Sequence, residues 1–130
     1  MAMKLLLCIS LCLSSLFASN IYVIANQEIE TSKKELKDFF SAKSDYLNGL
    51  KYKRISNQEA LESLADLAFS ISERKLSKKW IKQNFRKGTP FPTTLKNDAK
   101  TIEWIKSHSN TVGFVSKKPD NINIIYTFNE

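Results

Sequence analysis

Ile21-Tyr22-Val23-Ile24-Ala25, followed by Ser32-Lys33-Lys34-Glu35-Leu36-Lys37-Asp38-Phe39-Phe40, is the stretch on which the fold turns. The first run is apolar throughout and rich in β-branched residues, which predicts a strand in a sheet covered on both faces. Ser32 and Glu35 stand at capping-box spacing, so a helix starts there and continues through Phe40. Leu36, Phe39 and Phe40 recur at helical spacing and supply its core face. A buried strand feeding an amphipathic helix is the unit of a layered α/β structure.

Toward the amino terminus the sequence changes in kind. Lys4 is the only charge ahead of an apolar run over residues 5–17, and the small residues Ala18 and Ser19 follow. That order predicts a cleavable signal peptide over residues 1–19, with residues 20–130 forming one exported domain. The run is shorter than the roughly 20 apolar residues needed to span a bilayer, so the processed chain is not expected to be membrane-spanning. Cys8 and Cys12 both fall within it. Cleavage leaves no thiol, which excludes disulfides, thiolate metal sites and cysteine nucleophiles. The remaining segment, about 110 residues, suits one domain. The chain carries 20 Lys and Arg against 13 Asp and Glu; without Lys4 the balance is about +6, which favours anionic ligands or surfaces.

Toward the carboxyl terminus the pattern alternates between strand and helix. Residues 44–49 read as a polar loop and residues 50–54 as an edge strand with one wet face. Ser56 and Glu59 repeat the capping-box spacing ahead of Leu61, Leu64, Ala65 and Ala68, which share one helical face. A third helix is predicted to begin at Ser77, with Leu76 and Ile81 as a hydrophobic staple, and to stop at Gly88. Pro90 and Pro92 make residues 88–94 extended. Asn97 or Asp98 caps a fourth helix that turns Ile102 and Ile105 inward, and Asn110 supplies a left-handed end. Strands over residues 111–115 and 122–128, separated by a turn at Pro119, close the chain.

Catalytic patterns are absent. His108 is the only histidine, so no histidine-based metal cluster can form, and its position at a helix end is structural. Glu59, Glu62 and Asp66 share a helix side but read as a solvated face. There is no Ser-His-Asp arrangement, phosphate loop or dinucleotide fingerprint, and no cofactor is called for. The positive feature is the helix preceding Gly88. Every charged residue from Arg74 to Lys87 is a cation, and at about 100° per residue Lys78, Lys79, Lys82 and Arg86 occupy one side while Trp80, Ile81 and Phe85 occupy the other. Arg86, Lys87, Gly88 and Thr89 together offer charge, a hydroxyl and backbone donors suited to a tetrahedral oxyanion. Thr31 and Ser32 open the first helix, where free N–H groups favour anions. The aromatics do not interleave with the cations on a surface, so nucleic acid is not an expected partner.

Taken in order, several motifs resemble the short periplasmic-binding-protein-like family related to phosphate ABC transporter substrate-binding proteins. The chain from Ile21 to Asn26 resembles that family's exported strand ending in a polar turn. Ser32 to Phe40 is similar to its "S-x-x-E-L-x-x-I-F" helix, and Trp80 falls where the family places a tryptophan before a glycine-containing loop. Phe85-Arg86-Lys87-Gly88-Thr89-Pro90 resembles "F-x-G-x-G-x-P-P", and Asn110-Thr111-Val112-Gly113-Phe114-Val115 resembles "p-G-A-I-G-Y-V".

The resemblance implies a single-domain type II periplasmic-binding-protein-like α/β fold: a small mixed sheet flanked by about four helices. It also implies a periplasmic location, recognition of phosphate or a similar small oxyanion, and work with an ABC transporter or a related envelope system. By matching position Thr31, Ser32, Gly88 and Thr89 are the implied ligand contacts, with Arg86 and Lys87 adding charge. Two departures bear on this. Asn26-Gln27-Glu28 places an acid after the first strand, and Lys87-Gly88-Thr89 lacks the serine of the family's "S-G-T" anchor. The alternative is a ligand-free interaction module that docks on an envelope partner through its basic helix.

Overall fold

A computed structural model describes residues 20–129; the expected signal peptide lies outside the described residues. Strand β1 (Ile21–Ala25) is followed by helix α1 (Lys33–Phe40), a short β2 (Tyr46–Leu47) and β3 (Leu50–Lys51), then β4 (Lys53–Asn57). Helices α2 (Leu61–Phe69) and α3 (Glu73–Lys87), strand β5 (Thr93–Leu95), helix α4 (Asp98–Ser107) and strands β6 (Thr111–Val115) and β7 (Asn123–Phe128) complete the order. The main sheet runs β5-β4-β6-β1-β7. β4 is parallel to β5 and β6, whereas β1 is antiparallel to β6 and β7. The sheet is therefore mixed, and four helices flank it among the described residues, as expected.

Both faces of the sheet are covered. On one side Ile21, Val23 and Ala25 join Leu36, Phe39 and Phe40 of α1, Leu64 of α2 and Leu76 and Trp80 of α3 in the larger core. On the other, Ile24, Ile55 and Val115 pack with Ile105 of α4, and Ile102 and Trp104 lie against them. This division explains the unbroken apolar run of β1, since successive side chains point to opposite faces and each face is buried. Gly113 lets α4 approach closely, because a Cβ there would lie 2.7 Å from Ile105 Cδ1 and 3.2 Å from Ile55 Cβ.

Several local expectations are corrected. Residues 44–49 are not simply a loop: β2 and β3 form a hairpin, closed by Asn48 and Gly49 at φ 49° and 81°. Asn-Gly is the pair that a two-residue turn with positive φ at both positions requires. The strand expected over residues 50–54 breaks at Tyr52, and β4 continues to Asn57 as an interior strand rather than an edge. Ser56 consequently belongs to that strand, 1% exposed, and caps nothing. The N-cap of α2 is Ala60, without a side-chain hydrogen bond, while Asn57 Oδ1 accepts the Glu59 N–H at 3.1 Å. Pairing of β4 on both sides outweighs the short capping signature.

The third helix begins a full turn before Ser77, at the N-cap Ser72, whose hydroxyl accepts the Lys75 N–H. Leu76 is a core residue of that helix, not part of an entry staple. Leu76 and Trp80 set the buried side, so Ile81 and Phe85, about 100–140° round from Trp80, turn outward. They are 56% and 89% exposed, against the expectation that they share Trp80's side. Gly88 ends the helix in the left-handed conformation, φ 68°. Asn97 caps α4 by accepting the Lys100 N–H at 3.0 Å, and Asn110 is left-handed at φ 58°. β7 starts at Asn123 and is half-buried along most of its length instead of alternating cleanly.

Candidate anion-binding surface

The register of β1 fixes which sheet edge could hold a ligand. Tyr22 pairs with Val115, and Ala25 with Val112. The carboxyl ends of β4 and β6 therefore share an edge with the start of β1. In open α/β sheets the ligand crevice lies outside those carboxyl ends. Here the chain supplies its own anion to that edge. Asp98, first residue of α4, accepts from Asn57 Nδ2 at 2.7 Å, from the Ser116 N–H at 3.1 Å, from the Ser116 hydroxyl at 2.9 Å and from the Lys117 N–H at 3.0 Å. A carboxylate is also favoured at the positive end of α4. Donors that could cradle an oxyanion are thereby satisfied internally.

The residues singled out in the sequence lie elsewhere. Because β1 is antiparallel to β6, the chain leaves β1 at the amino-terminal side of β4 and β6 and runs from there to Thr31 and Ser32. Ser32 caps α1 by accepting the Glu35 N–H at 3.2 Å. The Thr31 hydroxyl donates to Glu35 Oε1 at 3.2 Å, and Glu35 Oε2 accepts the Asn48 N–H at 3.0 Å. A carboxylate thus stands at the opening of α1. Arg86, Lys87 and Gly88 are exposed at the end of α3, and Thr89 is partly covered. The Gly88 N–H donates to the Asn84 carbonyl at 2.8 Å, and the Thr89 carbonyl accepts from Asn84 Nδ2 at 2.8 Å. No described hydrogen bond joins the Thr31–Ser32 pair to the Arg86–Thr89 group.

The structure assembles a different cluster of cations. A cavity of about 620 Å³ over α1 is lined by Lys33, Lys34, Lys37, Asp38, Ser41, Lys43, Phe69 and Lys79. α1 presents three of these lysines, the chain after it adds Lys43, and α3 adds Lys79. Their convergence depends on Trp80, whose indole N–H donates to the Phe40 carbonyl at 2.7 Å and holds α3 beside the end of α1. The Ser41 hydroxyl donates to the Asp38 carbonyl at 3.2 Å. Lys37 Nζ stands 6.0 Å from the centre of the Phe69 ring. Five ammonium groups against one carboxylate attract an anion by charge and by donors. Of these residues only Lys79 had been singled out; the sequence signal for the rest was the Lys33-Lys34-x-x-Lys37 spacing, overshadowed by the capping box it overlaps.

Other titratable groups are structural. Arg54 is buried between α1 and the hairpin, where its guanidinium donates to the carbonyl of Phe39, to the Ser44 carbonyl at 3.0 Å and to Asp45 at 2.8 Å. Burial pushes its pKa below the usual arginine value, against the opposing pull of Asp45. His108 stacks on Trp104 with ring centres 4.0 Å apart, and its Nδ1 lies 2.8 Å from the Trp104 carbonyl. Glu62 and Asp66 line a shallow cavity with Lys75. No helix among the described residues is long and apolar enough to cross a membrane.

A mixed sheet in this order, layered with helices on both faces, is the observation that places the molecule among known folds. The fold is related to that of phosphate-transport receptors. An ABC-type phosphate transport receptor from Vibrio cholerae matches with a TM-score of 0.53 at 11% identity, over 83% of this chain and 46% of the receptor. A phosphate ABC transporter substrate-binding protein from Clostridium perfringens, solved with bound phosphate, matches with a TM-score of 0.50 at 13% identity, over 83% of this chain and 44% of that one. The chain therefore spans less than half the length of these receptors. No protein-family model matches the sequence, and no curated protein is similar to it.

Proposed function

We propose that this chain is an exported binding protein of the phosphate-receptor fold, and that it captures phosphate or a similar small oxyanion for an envelope transport system. The observation that carries the reading is the lysine-lined cavity over α1, with five cations, one carboxylate and a hydroxyl. The receptor fold supports a binding role over catalysis, and the leader-like residues 1–19 support export to the periplasm. The cavity is open, so capture is weak compared with a site that encloses its ligand.

Calorimetric titration with phosphate at low and moderate salt tests this. Saturable binding that weakens about tenfold or more in Lys37→Ala/Lys79→Ala is expected, since hydrogen bonds to charged groups carry about 1.5–3 kcal/mol. Loss in Thr89→Ala with Lys37→Ala/Lys79→Ala unaffected would move the site to the Arg86–Thr89 turn. Absence of saturable heat would overturn oxyanion capture.

A second reading is a ligand-free module that docks on an envelope component through α3. The internal occupation of the sheet edge by Asp98 favours it, because the crevice where such folds hold ligands is already filled.

A further inference from the structure

We infer that the outer face of α3 is a docking surface for an anionic lipid bilayer, with Phe85 as its inserted anchor. The inference rests on the second reading above, in that the basic helix docks, and it names what the helix docks on. Phe85 is 89% exposed, Ile81 one turn earlier is 56% exposed, and Phe91, beyond the Gly88 turn, is 56% exposed. Lys78, Lys82 and Arg86 flank the first two on the same outward face, and all three are exposed. Single exposed apolar residues are ordinary. Apolar side chains ringed by cations with no acid between Arg74 and Lys87 are suited to a surface that is negative outside and oily beneath.

Charge complementarity selects the occupant. A second copy docked by the same face would set the cations of residues 74–87 against themselves, and like charges in register oppose association. A protein partner would need a recess or knob to match. Phe85 and Ile81 line none of the cavities described above and stand clear of the surface. A fluid headgroup layer needs no matching shape. Each cation near an anionic leaflet adds about a fivefold preference, and the effect fades within a screening length.

The test is vesicle flotation with the protein purified as the exporting cell leaves it. Vesicles of phosphatidylcholine alone are compared with vesicles that also contain phosphatidylglycerol. Binding is expected only with the anionic lipid, and to be lost at roughly 1 M salt, where the screening length falls to about 3 Å. Phe85→Ser should weaken it about tenfold or more, as expected for an inserted aromatic ring. Lys78→Glu/Lys82→Glu should abolish it while leaving the thermal transition in place. Binding indifferent to Phe85→Ser would overturn insertion. Equal binding to neutral vesicles would overturn the electrostatic basis and point to residues 1–19. Failure to bind either vesicle would overturn the lipid occupant. An envelope protein crosslinked through position 82 would then sustain docking alone, and phosphate titration in the same sample reports separately on the oxyanion reading.

Discussion

Asp98 and Ser56 show how a polar residue's worth depends on its partners rather than its type. Asp98 gathers donors from Asn57, Ser116 and Lys117, so Asp98→Asn keeps the shape while turning an amide donor toward donors. A loss of about 2 kcal/mol in denaturant unfolding is expected, the usual scale for hydrogen bonds to a charged group. Ser56 is the opposite case. Its hydroxyl is buried without a partner among the described residues. Ser56→Ala should therefore raise stability by about 1 kcal/mol, whereas a helix-capping serine would lose about as much. The sign of the change decides between strand and cap. At Gly113 the added methyl of alanine would press on Ile105 and on the Ile55 backbone. Gly113→Ala should lose about 1–3 kcal/mol, as overpacked cores do.

At the scale of elements, α3 carries the clearest test of a boundary. Ser72→Ala should lower stability by about 1 kcal/mol and Ser77→Ala by less than half of that, since only Ser72 accepts a first-turn N–H. The sequence predicted the strand–helix alternation well wherever one signal stood alone: β1, the cap of α1, the glycine end of α3, the Asn97 cap and β6. It failed where a local signal competed with a distant one. Ser56 has capping spacing, but β5 and β6 pair with β4 from residues far along the chain, and no local pattern announces that. The Asn48-Gly49 turn is legible as a dipeptide, but strands only two residues long leave no alternation beside it to mark a hairpin. The outward turn of Ile81 and Phe85 was hidden for another reason. Periodicity shows which residues share a side, but Leu76 and Trp80 decide which side is buried. The lysine cavity was legible only in part, as the Lys33-Lys34-x-x-Lys37 spacing, because its junction with Lys79 is made by the Trp80–Phe40 hydrogen bond.

Among the described residues, helices on both faces are held to the main sheet by a few polar ties. Trp80 ties α3 to α1, Asp98 ties α4 to the carboxyl edge, and Arg54 ties the hairpin to α1. Trp80→Phe should remove the hydrogen bond and leave the Phe40 carbonyl buried and alone, at about 1–3 kcal/mol. If the lysine cavity is the oxyanion site, the same change should weaken phosphate binding by displacing Lys79, with the charges themselves intact.

β1 lies between β6 and β7, and Tyr22 meets Val115 and Thr127. The ribosome therefore makes the inner strand long before either of its neighbours. Until β6 and β7 emerge, Ile21, Val23 and Ile24 lack their sheet partners and remain an apolar ribbon with open hydrogen-bonding edges. Pairings this distant in sequence form slowly, and an unpaired strand edge invites aggregation while it waits. A sheet so wired cannot close around β1 before β6 and β7 have been made.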